Sequence, residues 1–380
     1  MLKAVPSALL IPRADWDRLA NPPGGEFNPL VTHDFFRCLE ESGCAVAKTG
    51  WAPRHIVMED AAGAIAGIVP CYRKRHSQGE YVFDHGWANA YERAGGNYYP
   101  KLQVSVPFSP VTGPRLFAAE EAQRRELASG LIALCTEEKA SSVHITFLPE
   151  QDWTALGGRL WLQRTDIQFH WMNAGYGSFD DFMASLSSQK RKNLRKERAS
   201  VANAGIKLHQ LTGGDIEERH WDAFYDFYMD TGARKWGQPY LNREFFSRIG
   251  EALAEHILLV MAERDGRLIA GALNFIGSHA LYGRNWGALE YHDNLHFETC
   301  YYQAIDFAIT RKLPRVEAGA QGAHKLARGY LPQKTYSLHY LAHPGLQRAV
   351  ADYLEAERSG VDQEQQALAA HSPFRQEQDF

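Results

Sequence analysis

The most peculiar stretch of the chain is Glu317-Ala-Gly-Ala-Gln-Gly-Ala-His-Lys-Leu-Ala-Arg-Gly-Tyr330. It gathers Glu317, His324, Lys325, Arg328 and Tyr330 among three glycines. Glycine-rich backbone lets a ligand come close to the main chain. A lysine and an arginine beside it suit a phosphate or a developing oxyanion. A turn whose charges are merely solvated uses the same residue types, and that reading stays open.

A second cluster is basic. Gln189-Lys-Arg-Lys-Asn-Leu-Arg-Lys-Glu-Arg198 holds six cations, at positions 190, 191, 192, 195, 196 and 198. In a slightly acidic chain this is a local positive field suited to a phosphate-bearing carrier such as coenzyme A or to an RNA end. It lies near a helix start at Ser187 or Ser188, where free N–H groups add to anion binding; a solvated helix face is the rival reading. Asp84-His85-Gly86-Trp87 follows an expected strand and offers one carboxylate and one imidazole, or else a capped turn. His292 and His296 share a helical spacing but lack an acidic third ligand, so no metal is expected. Tyr282, Trp286, Tyr291, Tyr301 and Tyr302 read mostly as core. The chain has no G-x-S-x-G, Walker, G-x-G-x-x-G or H-E-x-x-H motif, so serine-hydrolase, P-loop, Rossmann and zincin readings lose their main support.

The elements that must carry these residues show a faint internal echo. Residues 55–70 read HIVMEDAAGAIAGIVP and residues 257–273 read ILLVMAERDGRLIAGAL, with Glu59/Glu263 and Ile65/Ile269 each 204 apart. Both predict an antiparallel hairpin, and Asp265-Gly266 is a strong two-residue turn signal. Further strands are expected at Tyr81–Phe83 and Ala280–Trp286. Tyrosine pairs then follow at Tyr98-Tyr99 and Tyr301-Tyr302, and late strands at Ser142–Phe147 and Arg315–Ala318. That shared order reads as a duplication. Ser178 with Asp181 predicts a capped helix, with a break near Ser187-Ser188 and a stop at Gly205. A helix over about Phe297–Lys312 and a frayed tail from about Glu355 complete the expectation. The class is α+β, or α/β with a mixed sheet, in two similar lobes.

Composition sets the bounds. The chain has 380 residues, 45% hydrophobic and 23% charged, which is ordinary globular composition for about two domains. Lys and Arg number 41 against 45 Asp and Glu, a net charge of −4, so any polyanion must meet a local patch. Five irregularly spaced cysteines without a C-x-x-C argue against a disulfide framework or a zinc ribbon, and fit a reducing compartment. Pro6 and Pro12 interrupt the N-terminal apolar run, and no apolar stretch approaches the ~20 residues of a spanning helix. A soluble, cytoplasmic protein is expected.

EAGAQGAHKLARGYLPQKT, with YVFDHGWANAYERAG in the first half and SSQKRKNLRKER between them, resembles the FemAB-like group of N-acyltransferases of peptidoglycan biosynthesis and recognition. The resemblance covers about residues 20–358. It implies tandem lobes of the Gcn5-related acetyltransferase fold, each a mixed, mostly antiparallel sheet flanked by helices. The expected lobes are 1–170 and 171–350, the second opening on a basic helix at 188–204, with a C-terminal helix and tail at 351–380. The resemblance further implies acyl or aminoacyl transfer to a primary amine, with Lys325 at the position of the lysine that steadies the tetrahedral intermediate. Glu317, His324 and Asp84 are the candidate proton carriers. Arg328, Tyr330, Lys190, Arg191, Lys192 and Arg195 are the candidate contacts to the carrier. No tightly bound cofactor is expected. The co-substrate is acyl-coenzyme A or aminoacyl-tRNA, and the acceptor a small amine or a peptidoglycan precursor. No R/Q-x-x-G-x-G/A pyrophosphate loop occurs. The alternative is a non-catalytic protein of the same fold that recognises a cell-wall precursor or a carrier.

Overall fold

A computed structural model describes residues 1–235, 239–319 and 322–375. Its strands in the first half are β1 (Leu2–Val5), β2 (Trp51–Pro53), β3 (His55–Glu59), β4 (Ile65–Val69), β5 (Cys71–Lys74), β6 (Lys101–Val104) and β7 (Ser142–Leu148). Those that follow are β8 (Leu162–Met172), β9 (Lys207–Thr212), β10 (Ile257–Arg264), β11 (Arg267–Ile276), β12 (Ala280–Ala288), β13 (Arg315–Glu317) and β14 (Leu331–Leu341). The chain divides into two compact units. The first is Met1–Gly25, Leu30–Ile167 and Lys334–Glu364; the second is Glu26–Pro29, Gln168–Gln333 and Gln365–Phe380. The second expected lobe therefore loses its C-terminal part to the first unit, because β14 pairs with β7 from Tyr336↔Leu148 to Leu341↔Ser142. That pairing is invisible to any local pattern.

In the first unit the larger sheet runs β2-β5-β6-β7-β14, antiparallel except for the parallel β6–β7 pair, and β1-β3-β4 form a smaller sheet. Side chains alternate across a strand. One face of the larger sheet presents Cys71, Leu102, Val104, Val143, Ile145 and Leu338 to Leu127, Leu131 and Leu134 of the helix Glu121–Glu137. The other face carries Tyr72, Lys74, Lys101, Gln103, Ser142, His144, Thr146, Ser337 and His339. It is polar, yet every one of these residues is buried.

The second unit's sheet runs β8-β13-β12-β11-β10-β9, with only β12–β13 parallel. Asp265 and Gly266 have φ of 50° and 74°, the left-handed pair that the β10–β11 hairpin requires. The two hairpins of the echo share a detail: the ladder shifts at the step into Glu59 in one and into Glu263 in the other. Elsewhere the echo fails. Residues 81–83 form no strand, and Tyr81 sits at φ 62° in an irregular loop. Tyr98-Tyr99 precede β6 in a loop, whereas Tyr301-Tyr302 lie in a π-helical turn, Glu298–Tyr302. Where fraying was expected from Glu355, one helix runs Pro344–Ala370 and anchors Leu346, Val350 and Leu354; the end of the expected tail, 376–380, lies outside the described residues. The mixed, mostly antiparallel α+β class in two lobes is the fold observed.

Candidate active site

The helices before the second sheet set the stage. Ser178 Oγ accepts from Asp181 N at 3.1 Å and caps Phe179–Ser185; a second helix runs Ser188–Asn203. Between them Leu186 is extended and bridges to Phe374, while Ser187 N donates to Pro373 O at 3.0 Å. Backbone drawn into strand-like pairing cannot continue a helix, which explains the break.

The Ser188–Asn203 helix has two faces of opposite character. Leu194 and Val201 are buried, and the same face turns Glu197 and Arg198 inward. Arg198 pairs with Glu298 at 3.1 Å and Asp306 at 2.8 Å, its guanidinium 4.3 Å from the Phe179 ring. Glu197 takes both forks of Arg328, at 2.8 and 3.2 Å, and accepts from the Tyr302 hydroxyl. Outward stand Lys192, Arg195 and Lys196, exposed, with Lys190 and Arg191 half-buried; no ion pair engages these five among the described residues.

The helical stretch from Leu295 to Thr310 is wound as α, then π over Glu298–Tyr302, then α again. A π-turn shifts the faces of a helix by one residue and is common at functional sites. Here it buries Glu298, Thr299, Tyr301 and Tyr302 together, and the Tyr301 hydroxyl meets His324 of the glycine-rich loop.

That loop follows β13. Gly319 (φ 79°), Gly322 (φ 116°) and Gly329 (φ 90°) all occupy left-handed backbone. At Gly329 a side chain would also strike the Phe182 ring at 2.7 Å, so both conformation and space demand glycine. Between Gly322 and Gly329 the short helix Ala323–Arg328 presents His324 and Lys325 in opposite senses. His324 is exposed, and its Nε2 lies 2.9 Å from the Tyr301 hydroxyl, with the Phe297 and His296 rings nearby. Lys325 points inward and is 2% exposed. Its ammonium donates to Ala318 O at 2.8 Å and Gly319 O at 2.9 Å, and its third N–H has no hydrogen-bond partner among the described residues. Burial pushes the Lys325 amine down to about 8, with Cys300 opposing and Arg284 assisting.

A family model described as peptidoglycan biosynthesis/recognition, FemAB-like, matches residues 7–376. The chain belongs to the FemAB-like family. No curated protein matches it. Among solved structures it is similar to FemX (12% identity, TM-score 0.55, covering 90% of this chain and 98% of that one). It is also similar to L-PGS from Bacillus licheniformis (8% identity, TM-score 0.51, covering 88% and 99%). A conserved protein of unknown function from Bacteroides thetaiotaomicron VPI-5482 matches at 11% identity and TM-score 0.51, covering 90% and 99%. At these identities the likeness is one of fold.

Within this FemAB-like chain the structure groups Lys325, His324, Arg328 and Tyr330 around the π-turn. Arg328 differs from the sequence expectation: Glu197 already neutralises it, it donates to His324 O at 2.8 Å, and it stacks 3.3 Å over Phe297. Its guanidinium therefore holds the loop to the helix and is not a spare cation for a phosphate. Tyr330, expected at the carrier, is wholly buried with its hydroxyl 3.4 Å from Tyr301 O, so its contribution is packing. Glu317 is buried on β13. Its Oε1 accepts from Arg315 Nε at 3.0 Å, Oε2 has no partner among the described residues, and His170 is its neighbour across the ladder. Asp84 belongs to the first unit. There it takes a hydrogen bond from Tyr98 at 2.8 Å and another from Lys101, in a buried network of its own. His292 bonds Glu290 at 2.9 Å, and no three metal-capable side chains cluster among the described residues. Nor is any described helix long and apolar enough to cross a membrane.

Sequence reasoning missed Glu197, Tyr301 and Tyr302 as partners of the loop. Glu197 had a signal: it is the lone acid in the basic run and falls on the Leu194/Val201 face at helical spacing. The π-turn had none.

Proposed function

We propose that this FemAB-like chain moves an acyl or aminoacyl group from an activated carrier, acyl-coenzyme A or aminoacyl-tRNA, to a primary amine such as that of a peptidoglycan precursor. The observation that supports it best is the Lys325 ammonium, fixed by two carbonyls with one N–H left over. A donor positioned before the reaction costs no reorganisation as negative charge develops. The amine attacks the carrier's carbonyl carbon. Lys325 donates its third N–H to the resulting oxyanion, which then collapses as the new C–N bond stays and the C–S or C–O bond to the carrier breaks. His324, exposed and bonded to Tyr301, takes the amine proton and returns it to the departing thiolate or alkoxide. Lys190, Arg191, Lys192 and Arg195, on the outward face of the basic helix, meet the carrier's phosphates by charge. Glu317, with a buried carboxylate oxygen that lacks a hydrogen bond among the described residues, acts from the interior as a secondary proton carrier, whereas Asp84 is taken out of the expected set, because Lys101 holds it as a carboxylate inside the first unit.

The test is amide formation, read by mass spectrometry, with labelled acyl-coenzyme A or charged tRNA plus an amine. Lys325→Ala should lower kcat roughly 100- to 1,000-fold, the loss typical of one oxyanion donor. Full turnover by that variant would remove Lys325 from the chemistry. The clamp that Lys325 places on Ala318 and Gly319 also favours a second reading, a recognition protein whose loop is merely held shut. Carrier binding with no amide product under any donor would select it.

A further inference from the structure

One acid of the second unit has no part in the transfer described above. Glu197 stands among the cations of the basic helix, yet its carboxylate turns inward and serves three donors at once. These are Arg328 Nη2 at 2.8 Å, Arg328 Nε at 3.2 Å and the Tyr302 hydroxyl. A forked pair fixes direction as well as distance, because two N–H groups of one planar guanidinium must meet one carboxylate. Arg328 is 7% exposed, and its guanidinium also lies 3.3 Å over the Phe297 ring, so it has little room to turn.

Two routes leave the Glu197 carboxylate, and both end on His324. Through Arg328, whose Nη1 donates to His324 O at 2.8 Å, Glu197 holds the main chain of that residue. Through Tyr302 it holds the π-turn, where the adjacent Tyr301 has its hydroxyl 2.9 Å from His324 Nε2, and so it holds the ring. Ties of this kind are needed here. The short helix Ala323–Arg328 is bounded by Gly322 and Gly329, both at positive φ, and glycine backbone has the widest conformational choice. Lys325 fastens the entry of the loop to Ala318 O and Gly319 O; Arg328 fastens its exit to Glu197.

We infer that Glu197 is a positioning residue for acyl transfer, setting the main chain and ring of His324 and, through the same short helix, the placement of Lys325. The inference rests on the transfer reading above. Arg195 and Lys196, on the outward face, lie within about 3 Å of axial rise of Glu197. A single helix thus links the place where the carrier's phosphates are met to the group that takes the proton. Glu197 itself touches no reacting atom, so its loss belongs in the rate and not in carrier affinity.

The test is transfer by the full chain, well below the unfolding temperature of each variant, with kcat and the carrier KM separated. Glu197→Gln keeps the shape and removes the charge. Its kcat should fall roughly 10- to 100-fold, the scale of loss when a reacting group is misplaced by about 1 Å, with the carrier KM little changed. Arg195→Ala should instead raise the carrier KM. Should Glu197→Gln not fold, Tyr302→Phe carries the test: it keeps the ion pair, cuts one route, and should lower kcat about threefold. A second readout needs no turnover. Carbethoxylation of His324 by diethyl pyrocarbonate, followed by peptide mass spectrometry, should be several-fold faster in either variant, because the ring is released from Tyr301. Full kcat in the variants, a loss matched by a rise in carrier KM, or an unchanged His324 rate would overturn the role. If the unaltered chain forms no amide with any donor, the transfer reading falls, and the His324 rate still decides whether Glu197 holds that ring.

Discussion

Lys101 in the first unit and Lys325 in the second are the same residue type, 0% and 2% exposed, and their chemistry diverges. Burial opposes charge on both amines. At Lys101 that penalty is outweighed by the Glu80 and Asp84 carboxylates, and its pKa is raised. At Lys325 the partners are two neutral carbonyls, and burial pulls the amine down to about 8. Solvent exclusion is common to both, so the charge of the partner decides whether a buried lysine is locked as a cation or held ready to exchange its proton.

The contrast is most easily broken at Lys101. Lys101→Met strands two buried carboxylates and should cost about 3–5 kcal/mol in denaturant unfolding, and adding Asp84→Asn should recover part of that loss. If Lys325→Met proves equally destabilising, the distinction fails. Lys325→Ala should instead show itself in transfer, at about 2.7–4 kcal/mol of transition-state stabilisation.

Next in size comes the acid limb of stability. His144 and His339 meet Nδ1 to Nδ1 at 2.7 Å; burial, then the Lys101 cation, lowers His144 to about 3, and burial with His144 holds His339 well below 6.5 as well. The unfolded chain therefore takes up these protons first. Their contribution is complete above 6.5 and is lost as pH falls from there toward about 3. Thermal melts from pH 7 to pH 4 should fall by up to roughly 1.4 kcal/mol per pH unit for each imidazole, and His339→Asn should flatten the slope.

The gentlest test is the alkaline rate profile. If the Lys325 ammonium is the active form, turnover falls about tenfold per pH unit above about 8. Stability moves the other way. With a folded value below the ordinary 10.5, the unfolded chain holds more protons between about 8 and 10.5, so the fold gains stability as pH climbs through that window. A rate that keeps rising to pH 10 would mean that the neutral amine does the work.

Much of the second unit was legible because its signals are local. Asp265-Gly266 names its own turn, Ser178 its own cap, and the glycines at 319, 322 and 329 mark left-handed backbone beside a lysine. The break near Ser187 was expected, although its cause, the pairing with residues 373 and 374, was not. The first unit was read far less well. Asp84 drew notice, but Lys74, Lys101, Gln103, His144 and His339 stood in the sequence as scattered polar residues on strands. Alternation normally assigns such residues to water. Here the opposite face is covered too, by Trp87 and Ala88 of the helix His85–Arg93 and by Leu346, Val350 and Leu354 of the last helix, which hold Tyr98 and Leu341 between them.

By itself, then, the amino-acid order determined the hairpins, the capped and interrupted helices and the lysine-bearing glycine loop, since each follows from the torsional freedom and hydrogen-bonding habits of neighbouring residues. Only the tertiary structure decided which charges are spent on one another. Glu197 meets Arg328 across 131 positions and His144 meets His339 across 195. Such pairings are set by how sheets and helices pack, and packing also removes the water that would otherwise have made every one of these side chains ordinary.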